Sequence, residues 1–151
     1  MTVRLSSQLR TNLAGALGFA ATFANGIIEI RTGTQPATAD AAATGTMLGT
    51  ITLNSGAFVA GSPTNGLTFA AAENGAVSKS GVWSFNGIAA GTAGWFRLKG
   101  NALDNDALST TLPRLDGSIA TSGADLNLSN IAVAIGAPST VDSFTFTFPA
   151  Q

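Results

Sequence analysis

The sequence predicts an all-β protein: an antiparallel β-sandwich or jelly roll of about seven or eight short strands, with a short N-terminal helix. Apolar and polar residues alternate with a period of two from residue 27 onward, which is the pattern of half-buried strands. Turn pairs such as Asn-Gly separate these runs. No helical period falls between them, which argues against parallel βαβ units. Short strands at this spacing are typical of sandwiches and small barrels.

Residues 1–26 are the predicted helical segment. Leucines recur there every four residues, as on one face of a helix, at Leu5, Leu9, Leu13 and Leu17. A serine at position 6 or 7 can cap its start, and the Asn-Gly pair at positions 25 and 26 is a typical stop. The stripe either packs on its own domain or forms an arm that binds another chain, and we expect the helix to add no strand to a sheet.

The same segment has some features of a signal peptide. Arg4 and Arg10 precede a mildly apolar run over residues 13–24, with small residues near a conceivable cleavage site. Gly15 and Gly18 interrupt this apolar run, which argues against a signal peptide, so we favour the amphipathic helix. No apolar run approaches the roughly 18 residues of a membrane span.

Residues 27–151 are the predicted β domain. The clearest strand covers residues 141–148, where Phe144, Phe146 and Phe148 share one face, and we expect that face to lie in the core. The other predicted strands cover residues 27–31, 48–53, 66–70, 82–85, 95–99 and 131–135. Asp116-Gly117 is among the predicted turns. Residues 35–46 and 100–113 fit no strand and are predicted to be connections, the first with room for one helical turn.

Composition argues against an enzyme. The chain has no His, Cys or Tyr, so the usual residues of nucleophilic, acid–base and transition-metal chemistry are missing. Ala, Gly, Thr and Ser supply 77 of 151 residues, and charged residues only 10%, against about 25% in typical domains. A net charge of −1 gives no field to attract nucleic acid. Such sparse charge predicts a surface that is covered by a partner or by self-association.

Few residues qualify as a chemical site. Asp104 and Asp106 could begin a calcium loop, but Ser109 and Leu115 occupy the positions where an EF-hand needs Gly and Glu, so we predict a solvated loop tip. Residues 87–94 are glycine-rich but lack the Gly-Lys-Ser/Thr ending of a phosphate loop. We therefore predict no catalytic residue, no metal and no cofactor.

The candidate interface residues are Arg4, Leu5, Leu9, Trp95 and Arg97. A period of two places Trp95, Arg97 and Lys99 on one face of a strand and the residues between them in the core. Trp and Arg are enriched at the centres of protein interfaces, so the outer face is predicted to meet solvent or a neighbour. We favour packing on its own domain for Leu9, with Arg4 and Leu5 reaching the neighbour.

Four stretches of the chain resemble small virion structural proteins of tailed bacteriophages. They are residues 4–14 (RLSSQLRTNLA), 28–53 (IEIRTGTQPATADAAATGTMLGTITL), 94–102 (GWFRLKGNA) and 114–130 (RLDGSIATSGADLNLSN). The resemblance extends over nearly the whole chain. It implies presence in the particle and transfers no catalytic residue.

We therefore expect a non-enzymatic virion protein, first of all a capsid decoration or cement protein that binds the major capsid protein and is made in the bacterial cytoplasm. A tail, neck or fibre-base protein is the alternative of the same class. A carbohydrate- or receptor-binding sandwich is the alternative of another class, with Trp83 and Trp95 lining its groove. The expected partners are other virion proteins and further copies of the chain, and neither nucleic acid nor a membrane.

Overall fold

The computed structural model describes residues 3–149 and is mostly β, with 36% of residues in strands and 9% in helices. The helices are α1 (Ser7–Ala14) and α2 (Phe19–Phe23). The strands are β1 (Arg4–Leu5), β2 (Ile27–Thr32), β3 (Met47–Leu53), β4 (Thr68–Phe69), β5 (Ala76–Ser80), β6 (Trp83–Asn86), β7 (Gly91–Lys99), β8 (Arg114–Ala120), β9 (Leu126–Asn127), β10 (Ala132–Val133), β11 (Pro138–Thr140) and β12 (Thr145–Thr147).

Within residues 3–149 the strands form two sheets. The larger has nine strands, in the order β1-β8-β7-β2-β3-β6-β11, with β10 paired to β7 and β9 to β8; the smaller has the order β12-β5-β4. Every pairing is antiparallel except that of β8 with β9. The predicted all-β sandwich class is confirmed. The number of strands exceeds seven or eight because six of those in the described residues have only two or three residues.

The core follows the predicted alternation along the central strands. Ile28 and Ile30 of β2, and Phe96 and Leu98 of β7, are fully buried and belong to one hydrophobic cluster. Trp83 of β6 lies in the same cluster, against the rings of Phe69 in β4 and of Phe144, the residue just before β12. The alternating residues of β2 and β7 are therefore the inner face of the large sheet, and their charged neighbours form its outer face.

The N-terminal segment is built into this domain. Ser6 caps α1, since its Oγ accepts a hydrogen bond from the Leu9 amide at 3.1 Å. The predicted single helix is interrupted between residues 14 and 19, the stretch that holds Gly15 and Gly18, and the leucine stripe therefore does not stay on one face: Leu9 is fully buried whereas Leu17 is exposed. The expectation that this segment adds no strand is wrong, because β1 pairs with β8.

Two expectations about the other strands also fail. Only Phe144 of the three C-terminal phenylalanines is buried, and Phe148 is exposed, because β12 is an edge strand of the small sheet. Asp116-Gly117 is no turn and lies in the middle of β8. Glycine is needed at 117 because a Cβ there would come within 2.6 Å of the Phe96 ring. This glycine therefore serves packing and not a change of chain direction.

Candidate functional site

Charged side chains line the outer face of β2, β7 and β8. The strand register places Glu29 opposite Arg97, Arg97 opposite Asp116, and Asp116 opposite Arg4 of β1. Opposite charges that face each other across strands stabilise a sheet. The row therefore alternates in sign across four neighbouring strands.

Two connections cover this face, residues 33–46 after β2 and residues 100–113 after β7, and we call them the loop cover. They are hydrogen-bonded to each other, from the Ala43 amide to the Asp106 carbonyl and from the Ser109 amide to the Asp40 carbonyl, both at 2.9 Å. Asp40 also accepts hydrogen bonds from the Ser7 amide and hydroxyl, at 2.8 and 2.6 Å. The cover is thus attached to the start of α1 as well as to the sheet.

Two carboxylates of the cover point inward to cations of the sheet. Asp104 binds Arg114 through two parallel hydrogen bonds of 2.7 and 2.6 Å. Asp106 lies 2.8 Å from the guanidinium of Arg31 and 3.2 Å from the ammonium of Lys99. Charge-assisted and bidentate pairs are the strongest hydrogen bonds in proteins. Ion pairs therefore contribute to holding the cover on the sheet.

The sheet completes this ion-pair network. Glu29 accepts from Arg31 at 2.9 Å and from Lys99 at 2.6 Å, and Arg97 donates two hydrogen bonds of 2.8 Å to Asp116. Among residues 3–149 the ion-pair network has eight members. Six are joined by ion pairs, namely Glu29, Arg31, Arg97, Lys99, Asp106 and Asp116. The Asp104–Arg114 pair is linked to them by the hydrogen bond from the Lys99 ammonium to the Asp104 carbonyl at 2.9 Å. The network holds more than half of the fifteen charged residues in the chain.

Burial raises the pKa of two of the four carboxyl groups in the network, whereas neighbouring cations lower the pKa of the other two. Burial raises the pKa of Glu29 and of Asp116 above their ordinary values, despite the neighbouring Lys99 and Arg97. Burial would also raise the pKa of Asp104, but its hydrogen bonds with Arg114 lower it. Burial would raise the pKa of Asp106 too, but the nearby cations Lys99 and Arg31 lower it. The two cover carboxyls thus favour the charged form.

The network is built to hold structure. Its carboxylates are directed at guanidinium and ammonium groups, and Arg97 also donates to the Ala41 carbonyl of the cover at 3.1 Å. Among residues 3–149 there is no group of three or more His, Cys, Asp or Glu side chains placed to hold a metal ion. What the arrangement does chemically is fix two loops in one conformation, since paired and hydrogen-bonded buried charges require a specific geometry.

The structure buries three of the five predicted interface residues within the domain. Trp95 and Arg97 lie on the predicted face, but both are 0% exposed because the cover and neighbouring strands enclose them. Leu9 is likewise enclosed by its own domain. Arg4 and Leu5 are half-buried in β1. The prediction that the outer face meets solvent or a neighbour is therefore wrong for Trp95 and Arg97.

The burial of side chains also contradicts two further expectations. Asp104 and Asp106 are not a solvated loop tip: their side chains are 4% and 17% exposed and are engaged in ion pairs. Trp83 and Trp95 are both fully buried and line no groove for a sugar. The Trp95 indole instead donates a hydrogen bond to the Thr32 carbonyl at 3.2 Å. The Arg97 guanidinium lies over the Trp95 ring, 5.5 Å from its centre, in a cation–π contact.

Sequence reasoning missed Glu29, Arg31, Lys99 and Arg114 as members of a site. A signal was present: three strand segments, IIEIR, WFRLK and RLD, carry charges at the polar positions of a two-residue period. Alternation alone predicts that charges at polar positions face solvent. Two long connections that return over the same sheet face turn this alternation into a second, charged interior.

The outer surface is poor in charge as a consequence. Outside the network the chain has seven charged residues on an accessible surface of 7195 Å², close to the roughly 7,100 Å² expected for a compact monomer of this mass. The cover directs the carboxylates of Asp104 and Asp106 inward and two of its leucines outward: Leu103 is 80% exposed and Leu108 is 75% exposed. Asn101 links the cover to a third loop through its bond to the Ser62 carbonyl at 2.8 Å.

Comparison with known proteins returned no matching family model, no matching curated sequence and no matching solved structure. Within the part of the chain that the structure describes, no helix is long and apolar enough to cross a membrane.

Proposed function

We propose that this chain is a non-enzymatic structural protein of a tailed-bacteriophage particle, and specifically a capsid decoration protein that binds the major capsid protein. The proposal rests on the sequence resemblance together with one structural observation. More than half of the charged side chains are gathered into the buried ion-pair network, so the remaining surface is unusually poor in charge.

The loop cover is the part of this surface best suited to a partner. Leu103 and Leu108 are exposed on a connection whose backbone is fixed by the ion pairs of Asp104 and Asp106 with cations of the sheet. A loop whose backbone is already fixed loses little backbone entropy when its side chains bind a partner. Apolar residues at the centre of a contact, surrounded by uncharged polar groups, are typical of stable interfaces. We assign the cover as the surface that meets the capsid protein.

A tail, neck or fibre-base position is the second candidate, and the same observations support it, because the resemblance does not separate head from tail. The carbohydrate-binding alternative loses its support, since the two tryptophans expected to line a groove are fully buried.

A map of intact particles from the phage that encodes the chain tests the proposal. A decoration role predicts hundreds of copies on the shell, with Leu103 and Leu108 facing the capsid protein. Six or twelve copies at the neck or tail would overturn the decoration role and retain a virion role. Absence of the chain from purified particles would overturn both.

A further inference from the structure

A second site lies between the two sheets, away from the loop cover. It is a cavity of about 110 Å³ lined by Val3, Phe96, Leu115, Phe144 and Phe146, together with Asp125 and the two β12 threonines. This volume exceeds the roughly 10–15 Å³ that one water requires, so the cavity has room for the end of a long side chain.

Asp125 gives this apolar cavity one unused charge. Its Oδ2 accepts hydrogen bonds from the Ser118 amide at 2.9 Å and the Ser118 hydroxyl at 2.8 Å. Its Oδ1 is buried and has no hydrogen-bond partner, and Asp125 makes no ion pair among the described residues. A buried acceptor without a donor is costly, and more so when charged. The site is therefore complementary to a cationic donor on an apolar stem.

The free edge of β12 borders the same cavity. The Lys79 amide donates to the Phe144 carbonyl and the Phe148 amide to the Gly75 carbonyl, at 3.0 and 2.9 Å. Because hydrogen-bonded and non-hydrogen-bonded pairs alternate in an antiparallel ladder, the backbone groups of Thr145 and Thr147 point away from β5. Among residues 3–149, no further strand pairs with β12 on the side away from β5. These groups are a template for one added strand.

We propose that an extended segment of a different protein adds to the free edge of β12 and places a lysine or arginine side chain in the cavity, against Asp125. The cationic residue lies opposite Phe146, since residues directly opposite each other in a sheet project to the same face. Its stem then contacts the apolar lining and its charged end approaches the Asp125 carboxylate, whose buried Oδ1 a small shift of the side chain would bring into the cavity. The two neighbouring partner residues hydrogen-bond to Thr145 and Thr147.

A second copy of this chain fits the site poorly. Outside the ion-pair network, its described cations are Arg4, Arg10 and Lys79. Arg4 lies in β1 but donates to carbonyls of the loop cover. Arg10 is on α1, and Lys79 lies in β5 with a strand on each side. None of them is carried by a free extended segment, so the structure favours a different protein as the source of the cation.

Two capped peptides test this proposal on the full chain: acetyl-Thr-Val-Thr-Lys-Thr-Val-Thr-amide, and the same peptide with norleucine for lysine. Nuclear magnetic resonance titration at millimolar concentration measures their affinities, and hydrogen exchange measures protection of the Thr145 and Thr147 amides. We expect the lysine peptide to bind at least about tenfold more tightly than the norleucine peptide, and both threonine amides to gain protection.

Asp125→Asn keeps the shape of the side chain and an acceptor for Ser118, and we expect it to abolish the preference for lysine. Asp142→Asn removes an exposed carboxylate just before β12 and is the matched control, which should keep the preference. A thermal melt of Asp125→Asn confirms folding; if this variant is unfolded, the comparison of the two peptides on the unaltered chain decides.

Three results would overturn the proposal. One is equal affinity for the two peptides. Another is no binding of either peptide, with Asp125 Oδ1 contacting only a water. The third is self-association of the chain that Asp125→Asn abolishes, which would assign the site to a second copy. The site is independent of the loop cover, so each of these results leaves the decoration role to be judged from the particle map.

Discussion

Removing the charge of Asp104 should loosen the loop cover and destabilise the fold. Asp104 is 4% exposed, and Arg114, which it binds through two hydrogen bonds, is 0% exposed. Asp104→Asn keeps the shape of the side chain but leaves the Arg114 charge without its anion. Breaking a buried ion pair in this way costs about 3–5 kcal/mol.

The remaining contacts of Arg114 set the magnitude near the lower limit. Its guanidinium also donates to the Ala107 carbonyl at 2.8 Å and to the Asp40 and Ala41 carbonyls at 3.4 Å. We therefore expect the free energy of unfolding to decrease by about 3 kcal/mol. A domain typically has roughly 5–15 kcal/mol in total. For a domain of this size the corresponding decrease in Tm is about 6–12 °C.

Urea unfolding and a thermal melt measure this loss, with Asp142→Asn as the control for removing an exposed carboxylate. Hydrogen exchange of the Ala43 and Ser109 amides, which join the two halves of the cover, should accelerate in Asp104→Asn and stay unchanged in the control. A loss below about 1 kcal/mol, the range of an exposed pair, would refute the argument that this pair holds the cover.

Two further predictions concern the same fold. Stability should fall at both limits of the pH range. The stabilisation by Asp104 is complete above its ordinary pKa of 3.8 and is lost as the pH falls through its lowered folded-state pKa. The stabilisation by Glu29 is complete below its ordinary pKa of 4.5 and is lost as the pH rises through its raised folded-state pKa. Thermal melts between pH 3 and pH 8 on the unaltered chain and on Glu29→Gln measure this, and an unchanged profile in the variant would contradict the assignment. Deleting residues 1–24 should abolish the cooperative melt seen by circular dichroism, because Leu9 and Phe23 belong to the core; a truncated chain that still melts cooperatively would restore the interpretation of this segment as an assembly arm.

The sequence predicted those parts of the fold that depend on local pattern. The period of two at residues 27–31 and 95–99 correctly separated Ile28, Ile30 and Phe96 from their charged neighbours. The capping serine at position 6 was predicted for the same reason, since a cap acts within one turn of its helix. Such features need no knowledge of which strands become neighbours.

The rest depended on contacts between distant parts of the chain. Asp116-Gly117 has the composition of a turn, but Arg97 and Phe96 of the adjacent strand account for these two residues within β8. Arg97 resembled a residue of an interface for a similar reason, because a covered outer face cannot be distinguished from an exposed one by alternation alone. Residues 100–113 looked like a solvated loop because their charges have partners only after the chain returns over the sheet.

The measurement that tests the central claim most directly is the binding of the chain to phage particles assembled without it, followed by co-sedimentation. We expect Leu103→Asp/Leu108→Asp, two changes at exposed positions of the loop cover, to keep the Tm of the unaltered chain and to lose at least about tenfold in affinity, because a charged group would be buried in an apolar contact. Ile135→Asp, at a position 73% exposed outside the cover, is the matched control and should bind normally. Unchanged binding of the double variant, or a loss confined to Ile135→Asp, would contradict the assignment of the loop cover as the contact surface.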